Sequence, residues 1–262
     1  MFIRCCVFSI LRKGVFMINP KFSVFDAVVY ALKTVLDNFR LFFLSMLALM
    51  GTILVILLPF GFVFGLALVP FFKTLANFNV THGGQNMTGP ELIAQMREAV
   101  LPILFKYAPV FILLALIMFV VIVVLVFGFI RLVLTLHDTG SASVTLLFSE
   151  VKKFPKALGA WFLYSTIITI GLLLFVVPGL YMIFRFMFFS YFIVDKNSTI
   201  IESLKQSWRI TQGQIWPLLA INMVIVALSV AGPLIVLFSA PFSITSMVYV
   251  YRKLLKSTPE LS

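Results

Sequence analysis

The sequence predicts an all-α fold: a polytopic integral membrane helical bundle of about six transmembrane helices, with amphipathic helices lying at the interface. Three observations predict it. Of the 262 residues, 62% are hydrophobic and only 11% charged, and the mean hydropathy is +1.14. A soluble domain is about 45–50% apolar and about 25% charged, and a soluble core of this size cannot enclose the excess. The runs Leu41 to Phe72, Ala157 to Phe184 and Gln214 to Tyr251 carry no charge. Each exceeds the ~20 residues needed to cross ~30 Å of hydrocarbon. The net charge is +11, and the basic residues flank the apolar runs. No basic stripe interleaves with aromatics, which argues against nucleic acid as a partner. The 30 phenylalanines supply bulk apolar surface.

Residues 1–22 read as an N-terminal extension, 23–256 as one transmembrane domain, and 257–262 as a C-terminal tail. The extension has Arg4, Arg12 and Lys13 but no continuous apolar core, so it is a poor signal peptide. Adjacent Cys5 and Cys6 suggest no disulfide framework.

The first element is an amphipathic helix over Ser23 to Asn38, opened by Ser23-Val24-Phe25-Asp26 in the form of a capping box. Val24, Val28, Leu32, Val35 and Phe39 recur on one stripe. The first span lies near Leu41–Pro59, extended through Phe72; a tight hairpin at Pro59-Phe60-Gly61 is the alternative. Thr88-Gly89-Pro90-Glu91 opens a second amphipathic segment, with Leu92, Met96, Ala99 and Ile103 on its stripe. The second span follows at Ala108–Leu134.

A third amphipathic helix is expected over Ser143 to Leu158, ending in Lys152, Lys153 and Lys156. The third and fourth spans, Ala160–Val177 and Leu180–Val194, flank a turn at Pro178-Gly179. Thr199-Ile200-Ile201-Glu202 opens a fourth amphipathic helix, with Ile201, Leu204, Trp208 and Ile215 on its stripe. The fifth and sixth spans, Ile215–Ala231 and Leu234–Tyr251, flank Gly232-Pro233. His-Asp-Thr-Gly-Ser at 137–141 and Asp-Lys-Asn-Ser at 195–198 each precede an amphipathic stretch and a Trp-containing span. The repeating unit is an amphipathic helix followed by a helical hairpin.

Six spans place residues 1–40, 131–158, 195–213 and 252–262 on one side. Those segments hold sixteen of the twenty Lys and Arg residues, against three in 73–106. The positive-inside rule then predicts both termini in the cytoplasm.

The stretch Val176-Val177-Pro178-Gly179-Leu180-Tyr181 through Trp208-Arg209-Ile210-Thr211-Gln212-Gly213 resembles a bacterial six-span inner-membrane family related to the membrane domain of glycerophosphoryl diester phosphodiesterases. The matching residues are Pro178, Gly179, Asp195, Glu202, Ser203, Leu204, Lys205, Ser207, Arg209, Thr211 and Gly213. Ser203 stands where the family often has Ala. The match covers roughly residues 160–220 in detail, and residues 60–106 do not follow the family. The resemblance implies six spans, a cytoplasmic amphipathic helix and the bacterial inner membrane. The soluble phosphodiesterase domain fused to some relatives is absent, so the resemblance does not carry that activity.

Arg185 lies inside an apolar run. A charge at the bilayer centre costs about 2.5–3.5 kcal/mol on insertion scales, so it is a candidate for lipid-phosphate binding or a polar cavity; the bland reading is snorkelling to an interface. Asp195, Glu202, Lys205 and Arg209 form a second candidate, for an anionic headgroup or a partner; a salt-bridged solvated face is the bland reading. Trp208, on the opposite face, suits an interfacial anchor. Arg131, seven residues before Asp138, parallels Arg185 before Asp195. His137-Asp138 point apart on a helix and lack a nucleophile. His82 stands alone, and no metal or cofactor is expected. Gly51, Gly65, Gly128 and Gly171 are candidates for close helix contacts.

These features predict a non-enzymatic protein that interacts with membrane lipids or acts as a scaffold in envelope maintenance. A membrane-protein partner or a second copy of the chain is a further expected contact. A small-solute transporter or channel is the alternative, favoured by the repeats and by Pro/Gly-interrupted spans.

Overall fold

The computed structural model describes residues 21–82, 89–230 and 233–258, and these are helical with no strand. The helices are α1 (Val24–Asp37), α2 (Phe39–His82), α3 (Gly89–Thr139), a 3-10 helix (Val144–Lys153), α4 (Phe154–Leu174), α5 (Val176–Phe186), α6 (Phe189–Lys196), α7 (Ile200–Ile210), α8 (Ile215–Val230) and α9 (Pro233–Lys256). Among the described residues, four helical stretches are long and apolar enough to cross a membrane: Phe39–Lys73, Phe105–Thr139, Val144–Leu174 and Val176–Lys196. The pair α7 and α8, bent by 100°, makes a fifth if it counts as one span.

Helix α1 starts where Ser23 Oγ accepts the Asp26 N–H at 3.3 Å. It buries Ala27, Ala31 and Val35, so the predicted stripe is only partly right. Leu32 and Phe39 are exposed, as are Phe25, Val29 and Leu36. Small side chains let the helix backbone approach the body closely, and the large apolar ones point outward, a pattern suited to lipid. Lys21 and Phe22, assigned to the extension, pack on the body: Phe22 is buried, and the Lys21 N–H donates to Gln214 Oε1 at 3.0 Å.

The first apolar run is one helix with Pro59 and Pro70 inside it, and no hairpin forms at Pro59-Phe60-Gly61. Likewise the second amphipathic segment and second span are a single helix of 51 residues, with Pro102 and Pro109 inside. Proline interrupts a helix in water, but neighbouring helices re-satisfy the freed groups in lipid-facing structure. The side chains of Leu92, Met96, Ala99 and Ile103 lie outside the described residues. Helices α2 and α3 pair antiparallel: Phe42 meets Phe129 at one end, Phe60 meets Phe111 at 5.2 Å, and Tyr107 Oη donates to the Leu66 carbonyl at 3.4 Å. At 1.5 Å per residue α2 is about 66 Å long, so the distal hairpin extends past a bilayer's hydrocarbon entered at the other end.

The expected amphipathic helix over 143–158 divides at Lys153. Residues Val144–Lys153 form a 3-10 helix, and α4 begins with Pro155 in its first turn, where a missing N–H costs nothing. The 3-10 helix lies against α3 because position 128 is glycine. A Cβ on Gly128 would collide with the Leu147 backbone. Gly171 similarly admits Gly179 of the next helix, whereas Gly51 and Gly65 have nothing within 4 Å.

The chain reverses between α4 and α5, but the break is at Phe175, whose backbone is extended. Pro178 and Gly179 sit in the first turn of α5, so the break comes three residues earlier than the predicted turn. The fourth span is itself interrupted at Met187-Phe188, between α5 and α6. The reversal predicted at Gly232-Pro233 falls partly outside the described residues.

The sequence repeat is visible in the backbone. Helix α3 ends at Gly140, with φ +77°, and α6 ends at Asn197, with φ 53°. Each left-handed residue follows an aspartate by two positions. Each precedes a capped helix, the first capped by Ser143 and the second by the Thr199–Glu202 capping box.

Candidate functional site

The C-terminal ends of α3, α6 and α9 converge on one guanidinium. Arg252 Nη1 donates to Asp195 Oδ2 at 2.7 Å, and Nη2 donates to Asp195 Oδ1 at 2.9 Å. Nη2 also donates to Asp138 Oδ2. Tyr251 Oη donates to Asp195 Oδ2 at 2.9 Å. Burial works against the charge on Arg252, but hydrogen bonding and attraction to Asp195, then Asp138, outweigh it and hold the guanidinium above its ordinary value. The two aspartates of the repeat are therefore bridged by one arginine.

Around this cluster the basic segments gather at one end of the molecule. The Tyr30 hydroxyl lies 2.6 Å from His137 Nδ1. Buried Glu150 lies 2.8 Å from Lys153 Nζ and 3.8 Å from Arg131 Nε. Lys153 Nζ also donates to the Val194 carbonyl at 2.8 Å, and Lys156 Nζ to Asn197 Oδ1 at 3.0 Å. The described parts of the segments expected to share a side thus share an end.

Arg185 sits in the last turn of α5 and is 3% exposed. Its carbonyl would be left open by the break at Met187-Phe188. Ser207 Oγ donates to that carbonyl at 2.9 Å and Thr211 Oγ1 at 3.1 Å. The freed Phe188 N–H donates to Ser207 Oγ at 3.1 Å. Two hydroxyls, one in α7 and one at its C-cap, thus satisfy the interrupted span. The guanidinium lies 4.0 Å from the Trp208 ring centre and 5.6 Å from that of Tyr181, with Nη1 3.5 Å from Thr211 Oγ1. Its Nε is buried without a partner, and no carboxylate among the described residues pairs with it. Arg131 does pair with a carboxylate, so the two arginines before the repeated aspartates have different environments.

Helix α7 presents a second surface. Glu202 Oε2 accepts the Thr199 N–H at 3.5 Å, and Oε1 accepts from Gln206 Nε2 at 3.1 Å. Lys205 and Arg209 are exposed and have no ion pair among the described residues. They border an open groove of about 540 Å³. Its walls are Leu163 and Ile167 of α4, Phe186 of α5, and Ile201, Leu204 and Trp208 of α7. Gly213, with φ +71°, supplies the left-handed turn that sends the chain from α7 into α8.

The predicted site therefore splits. Arg185 joins Ser207 and Thr211; Lys205 and Arg209 join the groove; Glu202 caps its helix; Asp195 belongs to the Arg252 cluster. Trp208 faces the groove with the cations and covers Arg185, where the opposite face was expected. His137 and Asp138 take different partners. Asp138 and Asp195 do converge, but on a guanidinium. No group of three or more His, Cys, Asp or Glu able to hold a metal lies among the described residues. Arg252, Tyr251 and Tyr30 had no local signal, because their partners lie 57, 56 and 107 residues away. The repeat, which sets an aspartate at the end of two units, and the arginine that closes the last apolar run were the available clue.

Compared with protein-family models, with curated proteins and with solved structures, the chain gives no match in any of the three.

Proposed function

We propose that the chain is a non-enzymatic component of the bacterial inner membrane that holds lipids, or organises a protein partner or a second copy of itself, in envelope maintenance. The observation that carries this reading is the gathering of the basic segments at one end, beside helices suited to an interface. Helix α1 turns Phe25, Val29, Leu32 and Leu36 outward. Helix α7 meets α8 at 100°, so it lies along the membrane plane if α8 crosses. Interfacial helices with basic residues bind anionic lipid surfaces.

In this reading the crossings are α2, α3, α4, the pair α5–α6, α8 and α9, six in all, and both termini are cytoplasmic. Charge asymmetry supports that orientation, and so does the resemblance to the six-span family.

The test is to extract the protein gently from its membrane and identify what accompanies it by native mass spectrometry. Retained anionic lipid or a stoichiometric protein partner supports the reading. A bare monomer that moves a solute in liposomes contradicts it.

One observation favours the transporter reading instead. The span α5–α6 is broken beside buried Arg185, and broken helices build transporter sites near the bilayer midplane. Under that reading, Arg185→Ala abolishes flux in liposomes.

A further inference from the structure

We propose that the groove between α4, α5 and α7 binds one anionic phospholipid, with its phosphate at Lys205 and Arg209 and an acyl chain along Leu163 and Ile167. This deepens the lipid-holding reading and rests on it.

Charge complementarity argues for an anionic head. Lys205 and Arg209 lie on one rim, and neither has a carboxylate partner among the described residues. The acid closest in the helix, Glu202, is occupied by the Thr199 N–H and Gln206. A third cation stands behind the wall. The Arg185 guanidinium is 4.0 Å from the ring of Trp208, is 3% exposed, and keeps a buried Nε without a partner. Two cations thus border the groove and a third lies behind its wall, and none of the three has an ion pair among the described residues.

The walls argue for an acyl chain. Lys156 marks the polar end of α4, where it bonds Asn197. Ile167 lies eleven residues further on, about 16 Å along the helix. That is about half the thickness of a ~30 Å hydrocarbon layer. The groove runs from the cations into a stretch, Ala157 to Phe184, that carries no charge. A peptide placed there would bring backbone N–H and C=O groups into hydrocarbon without partners, whereas an acyl chain has none. A volume of about 540 Å³ falls within the roughly 300–1,000 Å³ typical of small-ligand sites.

The full chain is reconstituted in bilayer discs holding equal phosphatidylglycerol and phosphatidylcholine with identical acyl chains. Native mass spectrometry then counts the lipids retained after release. One phosphatidylglycerol per chain, retained in preference to phosphatidylcholine, is expected. Lys205→Ala and Arg209→Ala should each lower that preference roughly five-fold, while Arg209→Lys keeps most of it. Ile201→Trp, which fills the groove, should reduce retention of both lipids. Circular dichroism and size-exclusion profiles establish that each variant is folded. Equal retention of the two lipids overturns the proposal, as does unchanged phosphatidylglycerol retention in the folded double variant Lys205→Ala/Arg209→Ala. Lipid retained through other residues overturns this site alone and leaves the general reading standing; no lipid retained by the wild-type chain overturns this site and the lipid-holding form of that reading.

Discussion

Arg252 grips Asp195 with both terminal nitrogens, at 2.7 and 2.9 Å, across 57 residues of sequence. The same guanidinium reaches Asp138, so one side chain of α9 ties the ends of α3 and α6 together. The planar fork of arginine suits this bidentate bridging, which an ammonium cannot reproduce. Arg252→Ala strands a half-buried carboxylate at Asp195 and frees Asp138. A loss of about 2–4 kcal/mol is expected, below the figure for a fully buried pair because Asp138 is partly exposed. Arg252→Lys should recover only part of it. Thermal unfolding in detergent, followed by circular dichroism, measures both.

The interruption at Met187-Phe188 depends on hydroxyls from another helix. Ser207→Ala removes the partner of the Phe188 N–H and one of the two hydroxyls on the Arg185 carbonyl. Leaving a buried donor unmet costs about 1–3 kcal/mol. Thr211→Val should cost less, because Ser207 still serves the carbonyl. Hydrogen exchange checks the location: the amide of Phe188 should exchange faster in Ser207→Ala and stay protected in Thr211→Val.

Two glycines separate packing from helix propensity. Gly128→Ala drives a methyl group into the Leu147 backbone, which cannot yield as a side chain does, and should cost about 1–3 kcal/mol. Gly51→Ala meets open space, so the better helix propensity of alanine should leave stability unchanged or raise it by up to about 1 kcal/mol. The same unfolding assay compares the two.

Much of the helical order was legible. Uncharged runs marked the long helices, and the repeated segments at 137–141 and 195–198 were visible in the sequence; in the structure they hold two helix ends with left-handed turns at Gly140 and Asn197. The capping box at Thr199 and Glu202 was readable because its chemistry is local. What escaped was tertiary. Nothing in Met187-Phe188 breaks a helix on its own; hydroxyls twenty residues later permit the break. Helix α3 runs through Pro102 and Pro109, where a reading tuned to water expects a boundary. At the candidate site, Lys205 and Arg209 were legible as cations on one helix, but the apolar wall beside them comes from α4. Asp195 was grouped with them by sequence proximity, and Arg252 then claimed it.

Arg185 is retained at a cost if it serves a ligand. It has aromatic neighbours and a hydroxyl but no counter-ion among the described residues. Arg185→Met keeps similar volume and removes the buried charge. Thermal stability should hold or rise, while retention of phosphatidylglycerol falls. A fall in both would mean that the arginine is structural.

The account rests on the basic segments forming one end of the molecule while the α2–α3 hairpin reaches the other side of the membrane. Single cysteines, introduced at Ser257 and at Arg97 after Cys5 and Cys6 are replaced, test this in intact cells and in inverted vesicles with a membrane-impermeant thiol reagent. Position 257 is predicted to react only in inverted vesicles, and position 97 only in intact cells once the outer membrane is permeabilised. Labelling of both positions from the same side would contradict the architecture and the lipid-holding site built on it.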